Sequence, residues 1–282
     1  MDAKVDVPAD RLVERVRERY GKIAEEPEAG GCCGPKVGAA CCGGDGSVSL
    51  QIGYRSKDLA AVPEGANLGL GCGAPLDFLD LAPGEIVLDL GSGPGLDAFL
   101  AAERVGPTGR VIGVDMTPAM LARARRNAAK GGYTNVDFRE GRLESLPLGD
   151  AAVDAVTSNC VINLVPDKAA VFRQVARVLK PGGRLVISDI VLDGQLPEAL
   201  EKDIYAYVGC VSGAVDRREY FAMLEAAGLG PAEVLKDVDY LAAIDRTAPE
   251  EVQAILDRTG IRREDVVGKV RSITYRSVKP AV

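Results

Sequence analysis

From Ile86 onward, short runs rich in Val, Ile and Leu alternate with longer stretches of helical period, and the first run empties into Asp89-Leu90-Gly91-Ser92-Gly93-Pro94-Gly95. This pattern constrains the fold more than any other feature. Strands separated by helices pair in parallel, and strands apolar on both faces need helices covering both sides of the sheet. Strands are predicted over Ile86 to Leu90, Arg110 to Val114, Val136 to Arg139, Val153 to Ser158 and Leu185 to Ser188. Helices are predicted over Leu96 to Val105, Pro118 to Lys130 and Lys168 to Leu179. Thr117 reads as the N-cap of the second helix, with Pro118 at its first position, and Pro181-Gly182-Gly183 as the stop of the third. Further helices are expected over 198–207, 217–227, 249–258 and 262–268. Late strands are expected over Val234 to Val238 and Ile273 to Val278, the second at a sheet edge.

Ahead of this core, residues 10–24 read as an amphipathic helix with Leu12, Val16 and Tyr20 on one face. Residues 29–49 form a glycine- and cysteine-rich loop, and 50–75 an irregular lead-in that ends at a turn around Cys72. The organisation predicted is therefore 1–75 as helix, loop and cap, 76–215 as a Rossmann-like cofactor-binding core, and 216–282 as a region completing the sheet and covering the substrate site. With 282 residues, 47% of them apolar, the chain can bury the core of one large α/β domain.

The balance of the remaining residues excludes several function classes. A net charge of −7 opposes a nucleic-acid partner or an anionic membrane surface, and 5% aromatics with no Trp leave little for stacking bases. No apolar run approaches a membrane span, and the charged start lacks the apolar segment of a secretory leader. Seven cysteines in a chain this long do not form a secreted disulfide pattern, so the expected compartment is a reducing cytoplasm.

The glycine loop follows a buried strand and opens a helix. Gly91, Gly93 and Gly95 let backbone approach a ligand, and the helix supplies unpaired N–H groups. Asp115, at the end of the next strand, is placed to accept both hydroxyls of a ribose. The same parts serve nicotinamide and flavin folds. Gly-x-Gly-x-Gly in place of Gly-x-Gly-x-x-Gly favours S-adenosylmethionine, as does Gly141-Arg142-Leu143-Glu144 after the third strand, where an adenine can lie. The plainer reading is a tight strand–helix turn without a ligand.

The chain has no histidine, but Cys72 stands between two glycines, Cys160 at a strand end and Cys210 behind Gly209. Single thiols beside a cofactor loop, without the usual general base, point to chemistry in which sulfur holds a soft atom. Taken one by one, such cysteines also serve as small buried apolar residues. The pairs Cys32/Cys33 and Cys41/Cys42 admit a redox or capture role. They also admit a four-thiolate zinc site, although they lack the two-residue spacing usual there.

Val87 to Gly95 is similar to the first motif of the class I methyltransferases. More specific are Gly113-Val114-Asp115-Met116-Thr117, Ser158-Asn159-Cys160-Val161-Ile162-Asn163-Leu164, Arg177 to Gly183, Leu70-Gly71-Cys72-Gly73 and Gly209-Cys210-Val211-Ser212-Gly213-Ala214. Together these resemble the arsenite S-adenosylmethionine methyltransferases, from about Tyr20 to the closing Val270 to Arg276. The resemblance implies a class I methyltransferase fold, a mainly parallel seven-stranded sheet with an N-terminal cap and a C-terminal helical elaboration. It implies S-adenosylmethionine as cofactor and trivalent arsenic, held by Cys160, Cys210 and Cys72, as substrate. Cys72 would also take part in disulfide chemistry reopened by thioredoxin or glutathione. The donor set implied is Tyr54, Asp89, Gly91, Ser92, Gly93, Gly95, Asp115, Met116, Leu143, Glu144 and Asn159. For Tyr54 and Asn159 packing and turn capping remain open, and for Asp89 support of the glycine loop. The family uses a fourth, N-terminal cysteine, and here Cys32, Cys33, Cys41 and Cys42 all compete for that part. Longer members carry a cysteine-rich extension that this sequence does not include. Two other functions remain open, a methyltransferase for a small organic acceptor and a non-enzymatic metalloid-binding module.

Overall fold

The computed structural model describes residues 8–25, 47–203, 210–247 and 249–281. Cys32, Cys33, Cys41 and Cys42 lie outside the described residues. Seven strands form one sheet: β1 (Ile86–Leu90), β2 (Arg110–Asp115), β3 (Val136–Glu140), β4 (Val153–Asn159), β5 (Leu179–Leu192), β6 (Glu233–Asp239) and β7 (Val270–Val278), in the order β3-β2-β1-β4-β5-β7-β6. All neighbours pair in parallel except at β7, which runs antiparallel to both β5 and β6. This is the class I methyltransferase fold.

Local chemistry explains the central elements. β1, β2 and β4 are buried almost throughout, as strands covered on both faces must be. The helix after β2, Pro118–Gly131, starts on a proline and ends at Gly132, whose left-handed backbone sends its N–H to Ala128 and Ala129. Thr117 occupies its N-cap position without capping it. Its N–H donates to Asp115 Oδ1 at 2.8 Å, and its hydroxyl also turns to that carboxylate. The helix Lys168–Val178 is capped by Asp167, which accepts from Ala170 N–H at 2.8 Å.

The outer parts depart from expectation. The strand expected at the sheet edge, β7, lies inside the sheet between β5 and β6, and β6 holds the edge. Its apolar face could not distinguish these places, because the partner is chosen by tertiary packing. Pro181-Gly182-Gly183 does not separate helix from strand. β5 already begins at Leu179, and the segment is absorbed as a bulge where the pairing jumps from Val153–Leu179 to Ala155–Arg184. The lead-in to Cys72 holds two short helices, Ser47–Ile52 and Ser56–Ala61, the first reaching back into the stretch read as loop. Tyr240–Thr247 is a helix that the sequence reading lacks, and 262–268 shrinks to one 3₁₀ turn, Arg263–Asp265. The N-terminal helix α1 is Ala9–Glu25. It buries Leu12, Val16, Ile23 and Ala24.

Candidate active site

Strand order reverses between β1 and β4, and in open α/β sheets ligands bind at the carboxyl ends of strands flanking such a point. A cleft opens there. Its floor is Asp89, Gly91, Ser92 and Gly93 at the end of β1 and just beyond it, Asp115 and Met116 at the end of β2, and Asn159 and Cys160 at the end of β4. Tyr54, Leu143 and Glu144 close the sides, and Val13, Val16 and Tyr20 of α1 form a further wall. All the donor-binding residues expected from sequence line it except Gly95. Gly95 instead starts the helix Leu96–Val105 at φ 103°, and a Cβ there would come within 2.6 Å of the Phe99 ring, so its task is close packing.

The cleft is rich in carboxylates. Asp115 accepts from Gly93 N–H at 2.9 Å as well as from Thr117, which fixes the carboxylate at the cleft floor. Burial raises its carboxyl pKa, and the backbone donors pull it back. Burial, then the neighbouring Asp97 and Asp115, push Asp89 well above the usual carboxylate range. Asp97, missed in the sequence, is pushed up to about 6 by burial. Its available signal was a single carboxylate inside the apolar run Leu96 to Ala102. Asp89 Oδ2 and Ser92 Oγ are buried without a hydrogen-bond partner. Orphaned acceptors in an acidic cleft suit a ligand carrying a cationic end and hydroxyl donors. The donor set therefore fits S-adenosylmethionine, with its ammonium, sulfonium and ribose.

Behind Asn159 the character changes. Cys72, Cys160 and Cys210 are all free and buried, within an apolar cluster that includes Leu12, Val16, Leu164 and Ile190. The Cys160 thiol neighbours both other thiols in this cluster, and Cys210 Sγ donates to the Cys160 carbonyl at 3.1 Å. Cys160 has φ 58° and Cys210 φ 66°, the left-handed region that favours glycine. A non-glycine residue there costs on the order of 1 kcal/mol or more, and such strain collects at functional sites. The thiol neighbours Cys210 and Cys72, then burial, raise the Cys160 pKa well above its usual value, and burial raises that of Cys72. Both are therefore neutral thiols near pH 7. Among the described residues no three Cys, Asp or Glu side chains stand as a ready metal-binding group. The sulfurs are neighbours through Cys160 and do not yet form a cage.

Further residues hold this cluster. Ser272 Oγ donates to the Cys72 carbonyl at 2.7 Å. Asp189, fully buried and pushed by burial to about 7, accepts from Asn163 Nδ2 at 2.9 Å and Tyr220 OH at 3.0 Å, pinning the turn after Cys160 to β5. Val161 packs so tightly over Gly91 that a Cβ on Gly91 would lie 2.4 Å from Val161 Cγ2. The glycine loop and the Cys160 segment thus touch directly.

Comparison with known proteins agrees with this arrangement. Residues 81–228 match the family described as a methyltransferase domain. The chain is 48% identical over 229 residues to the arsenite methyltransferase of Halobacterium salinarum, covering 78% of this chain and 58% of that protein. It is 37% identical over 234 residues to that of Aquipseudomonas alcaligenes, covering 79% and 64%. It thus spans about three fifths of the length of these curated relatives. The crystal structure of an arsenic(III) S-adenosylmethionine methyltransferase from Chlamydomonas reinhardtii superposes with a TM-score of 0.56 at 32% identity, covering 81% of this chain and 72% of that one. On fold, sequence and site together, the chain belongs to the arsenite S-adenosylmethionine methyltransferase family.

Proposed function

We propose that the chain transfers methyl groups from S-adenosylmethionine to trivalent arsenic bound by Cys72, Cys160 and Cys210, in the service of arsenic detoxification. The observation that carries this reading is that three thiols from separate chain segments meet beside the donor cleft, with Cys160 in its wall. Arsenous acid exchanges its three hydroxyls for three sulfurs, each thiol proton leaving with a hydroxyl as water. Neutral thiols at Cys72 and Cys160 suit this exchange, since no charge has to be buried there. The three side chains turn onto one centre as they bind.

S-adenosylmethionine supplies an electrophilic methyl on sulfonium. Asp115 would hold its ribose, Leu143 and Glu144 would flank the adenine, and Asp89, Asp97 and Tyr54 would receive the methionine end. The arsenic lone pair is the nucleophile, so no O–H or N–H has to be deprotonated and a chain without histidine lacks nothing it needs. The protein's contribution is placement, on the order of 7–11 kcal/mol at best. Transfer leaves arsenic formally pentavalent. Two thiols, Cys72 with Cys160 or with an N-terminal cysteine, return two electrons to it and become a disulfide, which thioredoxin or glutathione reopens in a reducing cytoplasm. Among the described residues no helix is long and apolar enough to cross a membrane.

The test is incubation with arsenite, donor and fresh reductant, followed by arsenic speciation over time. Methylated arsenicals are expected. Unchanged inorganic arsenic overturns the proposal, and methylation that survives Cys160→Ser transfers the role to another acceptor site.

A further inference from the structure

Asn159 stands where the two halves of the site meet, and its amide is saturated on both sides. Oδ1 accepts from Cys72 N–H at 3.0 Å and Gly73 N–H at 3.3 Å. Nδ2 donates to the Gly73 carbonyl at 2.8 Å, to Tyr54 OH at 2.8 Å and to Asp97 Oδ2 at 3.4 Å. Tyr54 OH in turn donates to Asp97 Oδ1 at 2.7 Å. The amide cannot be reversed, because two N–H donors face its oxygen and a carbonyl faces its nitrogen. The loop carrying Cys72 wraps this amide so closely that a Cβ on Gly71 would sit 2.6 Å from Asn159 Nδ2. On the far side a Cβ on Gly73 would meet Ser188 Oγ at 2.4 Å. Both glycines flanking Cys72 are thus there for close approach, and the loop has no slack against Asn159.

We infer that Asn159 is a positioning residue that couples the donor cleft to Cys72, so that donor and trivalent arsenic bind cooperatively. This rests on the function proposed above and adds the coupling between its two sites. A ligand whose cationic end sits at Asp97 fixes Tyr54 and the Asn159 amide, and the amide fixes the backbone of Cys72. Arsenic drawn onto Cys72 and Cys160 fixes the same loop from the other side. Because the loop follows the amide without slack, each ligand sets the placement of groups that the other also engages, and by linkage the effect is reciprocal.

The test is calorimetric titration of the full chain with S-adenosylhomocysteine, which cannot transfer a methyl group, with and without saturating arsenite, and the converse titration. In wild type each ligand should tighten the other by the same factor, about 5- to 150-fold. In Asn159→Leu that factor should fall toward one. It is a ratio of two affinities in one variant, so a uniform loss of folding or binding cancels from it. Should Asn159→Leu fail to fold, Tyr54→Phe removes the hydroxyl between Asn159 and Asp97 and should lower the factor in the same way. Arsenite and S-adenosylhomocysteine binding independently in wild type overturns the coupling alone. So does a variant that keeps the wild-type factor. Absence of any arsenite binding overturns both the coupling and the function on which it rests.

Discussion

The donor cleft and the thiol cluster share a wall, Asn159 and Cys160, yet they are made in opposite ways. The cleft is polar, and each of its main groups sits at the end of a strand that leads straight into it: Asp89 and Gly91 at the end of β1, Asp115 at the end of β2. The cluster is apolar, and its sulfurs come from a loop before the sheet, a strand end and a turn far downstream. A ligand common to a superfamily can be held by one local motif. A soft three-coordinate atom needs donors from three directions, which only tertiary structure can supply.

The sharpest way to break this division is Cys160→Ser. Arsenite methylation should fall about a hundredfold or more, since even a small misplacement of the reacting atoms costs that much. S-adenosylhomocysteine affinity, measured by calorimetry, should stay near wild type. The reverse experiment is Asp115→Asn. A charge-assisted hydrogen bond lost from the ribose site should weaken the donor by about 10- to 100-fold in the same titration, with arsenite binding retained. Equal damage to both ligands from either change would mean that the two regions are one site.

Gly91→Ala tests the point where they touch. Gly91 has φ 66° and no room for a Cβ beneath Val161. A loss of about 1–3 kcal/mol is expected in chemical denaturation. Val161→Ala, by making room, should recover part of that loss.

A smaller effect concerns pH and separates the two regions by their protons. Asp97 is raised to about 6, and Asp89 and Asp115 are raised as well. In the window between the ordinary carboxyl range and pH 6 the folded protein binds more protons than the unfolded chain. The contribution of Asp97 to stability is therefore full below pH 4 or so and is lost as pH rises through 6, and Asp89 and Asp115 act in the same direction. Thermal melts of the ligand-free protein should show this decline, and Asp97→Asn should flatten it. In the proposed binding mode, bound donor should also oppose it, because a cation at Asp97 favours the ionised carboxylate. The thiol side should be nearly silent. With Cys72 and Cys160 protonated, these two thiols give up their protons as water when arsenous acid binds at neutral pH and release almost none to buffer. Its binding enthalpy should therefore not change between buffers of different ionisation heat.

The same contrast decides what was legible in the sequence. β1, the glycine loop, Asp115 and the helices between them are local objects. Strand period, capping proline and glycine spacing fix them within a few residues, and all reappear in place. The meeting of Cys72, Cys160 and Cys210 carried no local signal. Only the resemblance to a family implies it, because nothing in the spacing of single cysteines states which will be neighbours. Asp97 was passed over because a carboxylate in a helix's first turn ordinarily faces solvent, and only the fold shows Tyr54 and Asn159 closing over it. The edge position expected for β7 failed for a related reason. Strand character lies in the residues, but strand order depends on what packs beside them.

The bond from Ser272 to the Cys72 carbonyl joins residues 200 positions apart, through a strand inserted between two others. During synthesis the Gly71-Cys72-Gly73 loop emerges long before that partner exists. Until β7 has left the ribosome and entered its gap in the sheet, this thiol lacks its final support. If the three thiols hold arsenic as proposed, the finished site belongs to chains translated at least through β7.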